Sequence, residues 1–296
     1  MYFNENAYEF IELNYNRGIF DDCVDITFII TMNKSLERHE NIKKQLNICK
    51  PSKKVIIVMN KGYKKYDKYD NFGKKIDITY KDLTYTYMYI FHLARKYKNI
   101  LILEDDFEYT HLIKNNSIIN NINNFIIKNN PNIYYLGCIP WLINIPLSIG
   151  LGCHYQSIYE SCTQSLIINF KSREDLIRLY YSKNNNISKT DIDLYTSFYI
   201  QKKYFYKDPL IIQRIYETEN KSSWVLNDNN KVIGWYIIFI KIFENYFKLD
   251  SNDNNILHQQ WDTMYKKFKI LNIIIFFIFL ILLIYVIKKI KKIIHK

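Results

Sequence analysis

The sequence predicts an α/β protein with a mostly parallel central sheet, followed by one helix that crosses a membrane. β-branched and aromatic runs alternate with amphipathic stretches over residues 25–104, which is typical of a parallel α/β sheet. An uncharged run covers residues 270–287 near the end of the chain. Between them, an apolar strand ends in the acidic triplet Glu104-Asp105-Asp106, at the edge where such sheets bind ligands.

The first three elements are a strand, a helix and a second strand. Residues 25–32 form a β-branched and aromatic run, which predicts a strand after a polar N-terminal arm over residues 1–24. The polar residues that follow can cap an amphipathic helix over about residues 36–46. Residues 54–60 repeat the strand pattern, and the charged stretch after them predicts a surface loop.

A second helix leads into the acidic strand. Asp82 can cap this helix, which we expect to run to about Tyr97. The next strand, from Ile100, is apolar until it meets the acidic triplet. In parallel α/β sheets the chemistry lies beyond the carboxyl ends of the strands, which is where this triplet falls.

The chain continues to alternate between helices and strands. Residues 140–152 contain proline and glycine and are expected to form a loop that could cover a site. The apolar stretch over residues 232–247 is interrupted by Lys241 and is either core or a segment against a membrane surface. The other expected elements are a helix at 112–129, strands at 134–138, 163–170 and 209–213, a helix capped by Ser172 and a helix opening at 190–195.

The net charge of +12 invites a nucleic-acid interpretation, but the charge is unevenly placed. Eight lysines and no acid follow Asp262, which leaves +4 of that charge to the first 265 residues. The globular part is therefore only mildly basic, and we expect no nucleic-acid partner. The five cysteines include no Cys-x-x-Cys pair, which argues against a zinc site and a disulfide framework.

The uncharged run over residues 270–287 is long enough to cross a lipid bilayer. As a helix it would cover about 27 Å, close to the hydrocarbon thickness. Lysines flank it on both sides, which a buried core helix would not explain. Because no signal peptide is recognisable at the N-terminus, we expect a C-terminal anchor with the globular part in the cytosol. The predicted parts are an N-terminal arm (1–24), a globular domain (25–230), a membrane-proximal segment (231–265), the transmembrane helix (270–287) and a basic tail (288–296).

The acidic triplet predicts a metal and phosphate site. Adjacent carboxylates suit Mg²⁺ or Mn²⁺, which prefer oxygen ligands and commonly hold phosphate oxygens as well. In glycosyl transfer the metal would neutralise charge on the leaving diphosphate, and a separate carboxylate would take the proton of the acceptor hydroxyl. Asp193 and then Asp191 are the candidates for that base. For the triplet itself, the alternative is an acidic turn that is only solvated and binds no metal. Arg214 could contact a diphosphate, and the alternative is that it lies at the surface.

Several short motifs occur in a characteristic order between residues 26 and 215. They are Ile29-Ile30-Thr31-Met32-Asn33, Leu36-Glu37-Arg38, Ala94-Arg95-Lys96-Tyr97, Ile100-Leu101-Ile102-Leu103-Glu104-Asp105-Asp106, Tyr134-Tyr135-Leu136-Gly137, Gln164-Ser165-Leu166-Ile167-Ile168, Asp191-Ile192-Asp193 and Pro209-Leu210-Ile211-Ile212-Gln213. In this order the motifs resemble those of family 25 glycosyltransferases, the group of lipopolysaccharide-biosynthesis enzymes and procollagen galactosyltransferases.

This resemblance implies a GT-A type, Rossmann-like domain that binds a nucleotide sugar, with UDP as the expected nucleotide, and inverts configuration on transfer. Glu104 and Asp106 would flank the metal, and Asp105 would lie beside them toward the sugar or ribose. Thr31 and Arg38 match the family's opening strand and the turn after it, and we expect them to contact the donor. The acceptor would be a hydroxyl group on a glycan or a protein.

The sequence departs from that family in two places. Residues 84–87 and Phe91-His92 stand where the family has a glycine-containing segment and a Ser-His pair, and Gln164 stands where a histidine is common. Two alternatives stay open: a metal-dependent nuclease or phosphotransferase, and a catalytically inactive, membrane-tethered relative. The composition fits a low-GC parasite, bacterium or large DNA virus, and in a virus the anchor would lie in a host endomembrane or the virion membrane.

Overall fold

The computed structural model describes residues 3–70, 72–182, 191–214, 245–249, 251 and 253–294. A nine-stranded sheet forms the centre of this part, which confirms the predicted α/β class. The strands are β1 (Tyr8–Asn14), β2 (Ile26–Met32), β3 (Lys54–Asn60), β4 (Asn99–Glu104), β5 (Phe107–Tyr109), β6 (Ile133–Tyr135), β7 (Ile139–Ile143), β8 (His154–Ser161), β9 (Ser165–Asn169), β10 (Lys203–Tyr206) and β11 (Ile211–Gln213). The helices are α1 (Leu36–Ile48), α2 (Thr79–Leu93), α3 (Asn116–Asn129), α4 (Ile145–Ser148), α5 (Phe170–Tyr180), α6 (Ile192–Tyr199) and α7 (Asn254–Ile294).

Helices cover both faces of the sheet and create two apolar cores. Helices α2, α5 and α6 pack on one face, and α1 and α3 pack on the other. β4 serves both cores, because Ile100 and Ile102 point into the first while Leu101 and Leu103 point into the second. This explains why its sequence is a continuous apolar run. The predicted strands β2, β3 and β4 are confirmed.

The sheet is mixed, with the strand order β1-β3-β2-β4-β9-β6-β10-β8-β7. Among the described strands, the parallel pairs are β2 with β3, β2 with β4 and β6 with β10, so the predicted mostly parallel sheet is wrong. β9 separates β4 from β6 and runs opposite to both. Apolar periodicity reveals burial but not direction, and so it could not place β9. The strands β2, β3, β4, β6 and β10 still share one direction, which brings their carboxyl ends to one edge.

Two segments that the sequence places outside the sheet belong to it. The N-terminal arm contains β1, an edge strand that pairs with β3 and exposes 44% of both Phe10 and Ile11. An exposed edge strand shows little alternation of apolar and polar residues, which explains the wrong prediction. The expected loop over residues 140–152 contains most of β7 and all of α4. Pro140 is tolerated there because β7 is the opposite edge of the sheet.

Two predicted helix caps are also wrong. Asp82 lies inside α2, where its buried carboxylate pairs with Lys68 at 2.5 Å. α5 begins at Phe170, and its cap is Asn169, whose side chain accepts a hydrogen bond of 2.8 Å from the backbone N–H of Ser172. Both residues have side chains suited to capping, but Asp82 is held in a buried ion pair and Ser172 lies two residues inside a helix that begins earlier than expected.

The C-terminal helix α7 is continuous and has two different halves. The stretch of highest mean hydropathy, 3.3, has only 6% of its residues buried. The predicted transmembrane run therefore lies in one long, apolar, mostly exposed helix, whose length and composition are consistent with a single membrane span. That helix starts within the predicted membrane-proximal segment. Of the apolar stretch over residues 232–247, the part up to residue 244 lies outside the described residues. The first half packs on the domain through Leu257, Trp261, Met264, Tyr265 and Phe268.

Candidate active site

The acidic triplet lies where β4 turns into β5, at the edge where the carboxyl ends of β2, β3 and β4 meet. Glu104 ends β4, and the next two residues form the turn. Only 4% of Asp105 and 6% of Asp106 is exposed. These two carboxylates are therefore buried groups, and the alternative of a merely solvated acidic turn does not hold for them.

Asp105 is held by the two residues that were expected to bind the donor with it. The hydroxyl of Thr31, in β2, donates a hydrogen bond of 2.7 Å to Oδ2, and Nη1 of Arg38, in α1, lies 2.5 Å from Oδ1. The Asn41 amide donates to the backbone carbonyls of Asp105 (3.3 Å) and Phe107 (3.0 Å). The structure thus brings all three predicted donor-binding residues together in an ion-paired network that fixes the turn.

Glu104 has hydroxyl partners in place of a cation. Its Oε1 accepts hydrogen bonds from the Tyr87 hydroxyl (2.8 Å) and the Thr163 hydroxyl (3.0 Å). Burial, followed by the nearby charges of Asp106 and Asp193, raises the pKa of Glu104 well above its ordinary value. This carboxylate therefore sits in an excess of negative charge, which favours binding a proton or a cation.

Asp106 is only half satisfied. Its Oδ2 accepts a hydrogen bond of 2.9 Å from the Gln213 side chain, and its backbone carbonyl accepts one of 2.8 Å from the Arg214 N–H. Its Oδ1 is buried with no hydrogen-bond partner in the described part of the chain. Burial and then the charge of Asp105 raise the pKa of Asp106 to about 6, although Arg38 opposes this. A buried carboxylate oxygen without a protein partner is uncommon, and a bound water or cation can satisfy it.

A second carboxylate pair approaches the triplet from α6. Asp191 is the N-cap of this helix and accepts a hydrogen bond of 3.3 Å from the backbone N–H of Asp193. Burial and the neighbouring Asp193 raise the pKa of Asp191 to about 7. Oδ2 of Asp193 accepts from the Cys162 N–H at 3.3 Å, while its buried Oδ1 lacks a partner among the described residues. Of the two predicted base candidates, Asp193 therefore lies close enough to Glu104 to raise its pKa, and Asp191 lies beside Asp193.

Thr163 joins the two carboxylate pairs. Its hydroxyl donates to Glu104, and hydrogen bonding from Thr163 also lowers the pKa of Asp193 against the opposing effect of burial, which raises it overall. Sequence reasoning missed Thr163, as it missed Tyr87 and Gln213 as partners of the acids. Their residue types carry no signal of this role, which depends on contacts across the sheet.

Arg214 is not free to contact a diphosphate in this arrangement. Its Nε and Nη2 donate to Oε2 of Glu108 at 3.0 and 2.7 Å, and Nη2 also contacts Asn254 at the start of α7. His258 of the same helix lies 3.2 Å from the other oxygen of Glu108. These contacts tie the strand after the acidic triplet to the C-terminal helix.

The donor set fits a divalent cation only in part. Within the described residues, no three His, Cys, Asp or Glu side chains are arranged to hold a metal ion. Mg²⁺ and related ions, however, are commonly held by one or two carboxylates, with phosphates and water supplying the other ligands. Glu104 and the unpartnered Oδ1 of Asp106 match that smaller donor set, because each lies in an excess of negative charge that a cation would relieve.

Comparisons with known proteins do not identify a family: no protein-family model matches the chain, and no curated protein matches it.

Proposed function

We propose that this chain is a membrane-anchored, metal-dependent glycosyltransferase of GT-A type. It transfers a sugar from a nucleotide sugar, with UDP as the expected nucleotide, to a hydroxyl group on a glycan or protein. The observation that carries the proposal is the meeting of two carboxylate pairs, Glu104 with Asp106 and Asp191 with Asp193, at the carboxyl edge of an α/β sheet without cationic partners among the described residues. The order of sequence motifs adds support.

The first pair is suited to the donor. Glu104 and Asp106 are the residues that would hold Mn²⁺ or Mg²⁺ together with the donor diphosphate, and the ion supplies positive charge for the leaving group. Asp105 is the group that fixes the turn between them, because Thr31 and Arg38 occupy its two oxygens. In this proposal Thr31 and Arg38 therefore contribute to donor binding by orienting the acidic turn.

The second pair is suited to proton transfer. A general base works best when its pKa lies near the operating pH, and the pKa of Asp191 is raised to about 7. Asp193 offers the buried, unpartnered Oδ1, whereas the side chain of Asp191 caps α6. Burial raises the pKa of Asp193 as well. Asp193 then accepts the proton of the acceptor hydroxyl, and Asp191 supplies a second carboxylate beside it.

The proposal includes the membrane. The exposed half of α7, over residues 270–287, crosses a bilayer once, and the globular part lies on the cytosolic side. Support comes from its length, its mean hydropathy of 3.3 and its lack of burial against the domain. Protease protection in sealed vesicles tests the orientation, because a cytosolic domain is digested from outside a vesicle that preserves the cellular orientation.

A turnover assay tests the reaction. The full chain in lipid nanodiscs is incubated with a panel of nucleotide sugars and hydroxyl acceptors, with and without Mn²⁺, and release of the nucleoside diphosphate is measured. Asp106→Asn keeps an oxygen for Gln213 but loses the charge, so we expect a fall of about 10²-fold or more in turnover. Asp175→Asn is the matched control, because Asp175 lies at the surface of α5.

The same assay separates the alternatives. Equal turnover by Asp106→Asn and the unsubstituted chain would contradict the assigned role of Asp106. Cleavage of a nucleic acid or a phosphoester in place of sugar transfer would favour the nuclease or phosphotransferase. A chain that neither transfers a sugar, nor cleaves a nucleic acid or another phosphoester, and that also fails to bind nucleotides, would favour the catalytically inactive relative.

A further inference from the structure

Strand β7 and helix α7 lie side by side and run in the same direction. Next to the start of β7, the N–H of Cys138 donates a hydrogen bond of 2.7 Å to the hydroxyl of Tyr265 in α7. Further along, the rings of Trp141 and Phe268 lie 5.1 Å apart. At the end of β7, the Ile143 N–H donates to Oδ1 of Asn272 at 2.8 Å. Each step toward the end of β7 is thus a step toward the exposed, apolar half of α7.

Helix α4 begins two residues after β7 ends, and it also contacts α7. α4 therefore continues the path of β7 along α7, and it follows directly after the contact between Ile143 and Asn272. α4 and the turn after it lie close to the start of the proposed membrane span.

This part of the domain presents apolar side chains to the outside. Leu147 is 59% exposed and Ile149 is 74% exposed, and Leu142 in β7 is 37% exposed. Gly150 and Gly152 both have positive φ, at 87° and 68°, so the chain turns sharply just after Ile149. We define Leu142, Leu147 and Ile149 as the α4 patch.

The surrounding sequence has no formal charge. No Asp, Glu, Lys or Arg occurs between Lys128 and Glu160, in a chain where these residues make up 24% of the total. Part of that stretch is buried strand, but its more exposed residues over 141–153 are uncharged as well, which suits a surface that lies in lipid. The edge strand β1 at the other side of the sheet provides the contrast, since Glu9 and Glu12 accompany its exposed Phe10 and Ile11.

We propose that the α4 patch is inserted in the interfacial layer of the bilayer beside the transmembrane helix. The inference rests on the proposed membrane span, and its occupant is the lipid surface through which that span passes. The patch is linked to the start of the span through β7, because Asn272 contacts the backbone of Trp141 and Ile143 on either side of Leu142. The uncharged stretch matches the apolar character of the lipid. The domain then contacts the membrane at two places, the helix and the α4 patch, and these two contacts fix its orientation relative to the bilayer.

Site-directed spin labelling of the full chain in lipid nanodiscs tests this inference. Single cysteines replace Leu147, Ile149, Ile278 or Ile11 in a background where the partly exposed Cys49, Cys153 and Cys162 are serine. Collisions of the nitroxide with dissolved oxygen report lipid exposure, and collisions with a water-soluble nickel chelate report water exposure. Ile278 reports the span. Ile11 is the matched control, because β1 lies eight strand spacings from β7, about 38 Å away.

We expect oxygen collisions to dominate at positions 147, 149 and 278 and nickel collisions to dominate at position 11. If 278 is in lipid while 147 and 149 resemble position 11, the α4 patch is not inserted and this inference is overturned, although the anchor stands. If 278 is also accessible to nickel, the membrane span itself fails. Two labelled positions in the patch guard against a local disturbance at either one, and circular dichroism of each variant reports its folding.

Discussion

The buried and half-buried carboxylates of this molecule are of two kinds. Glu160 lies 2.7 Å from Nζ of the buried Lys203, and Asp82 lies 2.5 Å from Nζ of the buried Lys68. The carboxylates at the end of β4 and the start of α6 have no such cation, except at Asp105, and two of their oxygens lack any described partner. The fold therefore pairs acids with a buried lysine where they are structural and leaves a group of acids without such a cation at one edge, which is the pattern expected of a functional site.

The largest effect should come from breaking a structural pair. Lys203→Met leaves Glu160 buried without its cation, since the remaining partners are hydroxyls such as Tyr135 at 3.0 Å. We expect a loss of about 3–5 kcal/mol in the free energy of unfolding. Chemical denaturation of the full chain in detergent measures it. Lys43→Met, which removes an exposed ion pair with Glu40, should change it by less than about 1 kcal/mol.

A smaller effect is expected at Glu108, which joins the site strand to α7. Hydrogen bonds from His258 and Arg214 outweigh burial and lower the pKa of Glu108. A lowered pKa gives stability that is present above the unfolded-state pKa, about 4.3, and is lost as the pH falls through the folded-state value. Glu108→Gln should cost about 1–2 kcal/mol at neutral pH and reduce the loss of stability on acidification.

The exposed Glu37→Gln variant is the control for this measurement. Unfolding curves collected between pH 3 and pH 7 should be the same for it and for the unsubstituted chain. An unchanged acid dependence in Glu108→Gln would show that the Glu108 junction adds no stability.

Asp191 should behave in the opposite way. Because its pKa is raised to about 7 in the folded state, it contributes stability that is present below the unfolded-state pKa of about 3.9 and is lost as the pH rises to 7. Asp191→Asn keeps a good N-cap and removes this loss, so the variant should be more stable than the unsubstituted chain above pH 7, by on the order of 1 kcal/mol. Thermal unfolding across this pH range measures it, and a destabilised Asp191→Asn at pH 8 would contradict the account of an uncompensated acid.

Local periodicity was enough to predict the strands that bury both faces. β2, β3 and β4 are rich in β-branched and other apolar residues, and their order with α1 and α2 predicted the α/β class. The strands that periodicity did not predict lack this pattern of burial. β1 is an exposed edge, and β7 begins beside a proline, so neither has the pattern of a buried strand. The direction of β9 depends on its neighbours β4 and β6, which are distant in sequence.

For the candidate site, the sequence predicted where the acids lie along the chain but not which residues they contact. The triplet was expected at the end of β4 and lies there. Asp193, one of the two acids predicted for the same site, lies close enough to raise the pKa of Glu104. The partners that distinguish one acid from another could not be predicted, because they come from separate elements. Asp105 is neutralised by Arg38, 67 residues away, and Asp106 meets Gln213, 107 residues away. Only the fold reveals which carboxylate is left with a free oxygen.

Thermal unfolding of the full chain in nanodiscs with UDP, with Mn²⁺, and with both shows whether the carboxylate cluster binds a donor. If Glu104 and Asp106 hold a cation together with a diphosphate, the two ligands together should raise the Tm by more than the sum of their separate effects. Asp106→Asn should lose that synergy, whereas Asp175→Asn should keep it. An unsubstituted chain that shows no synergy, or an Asp106→Asn chain that responds as strongly, would contradict the assignment of this carboxylate cluster as a donor site.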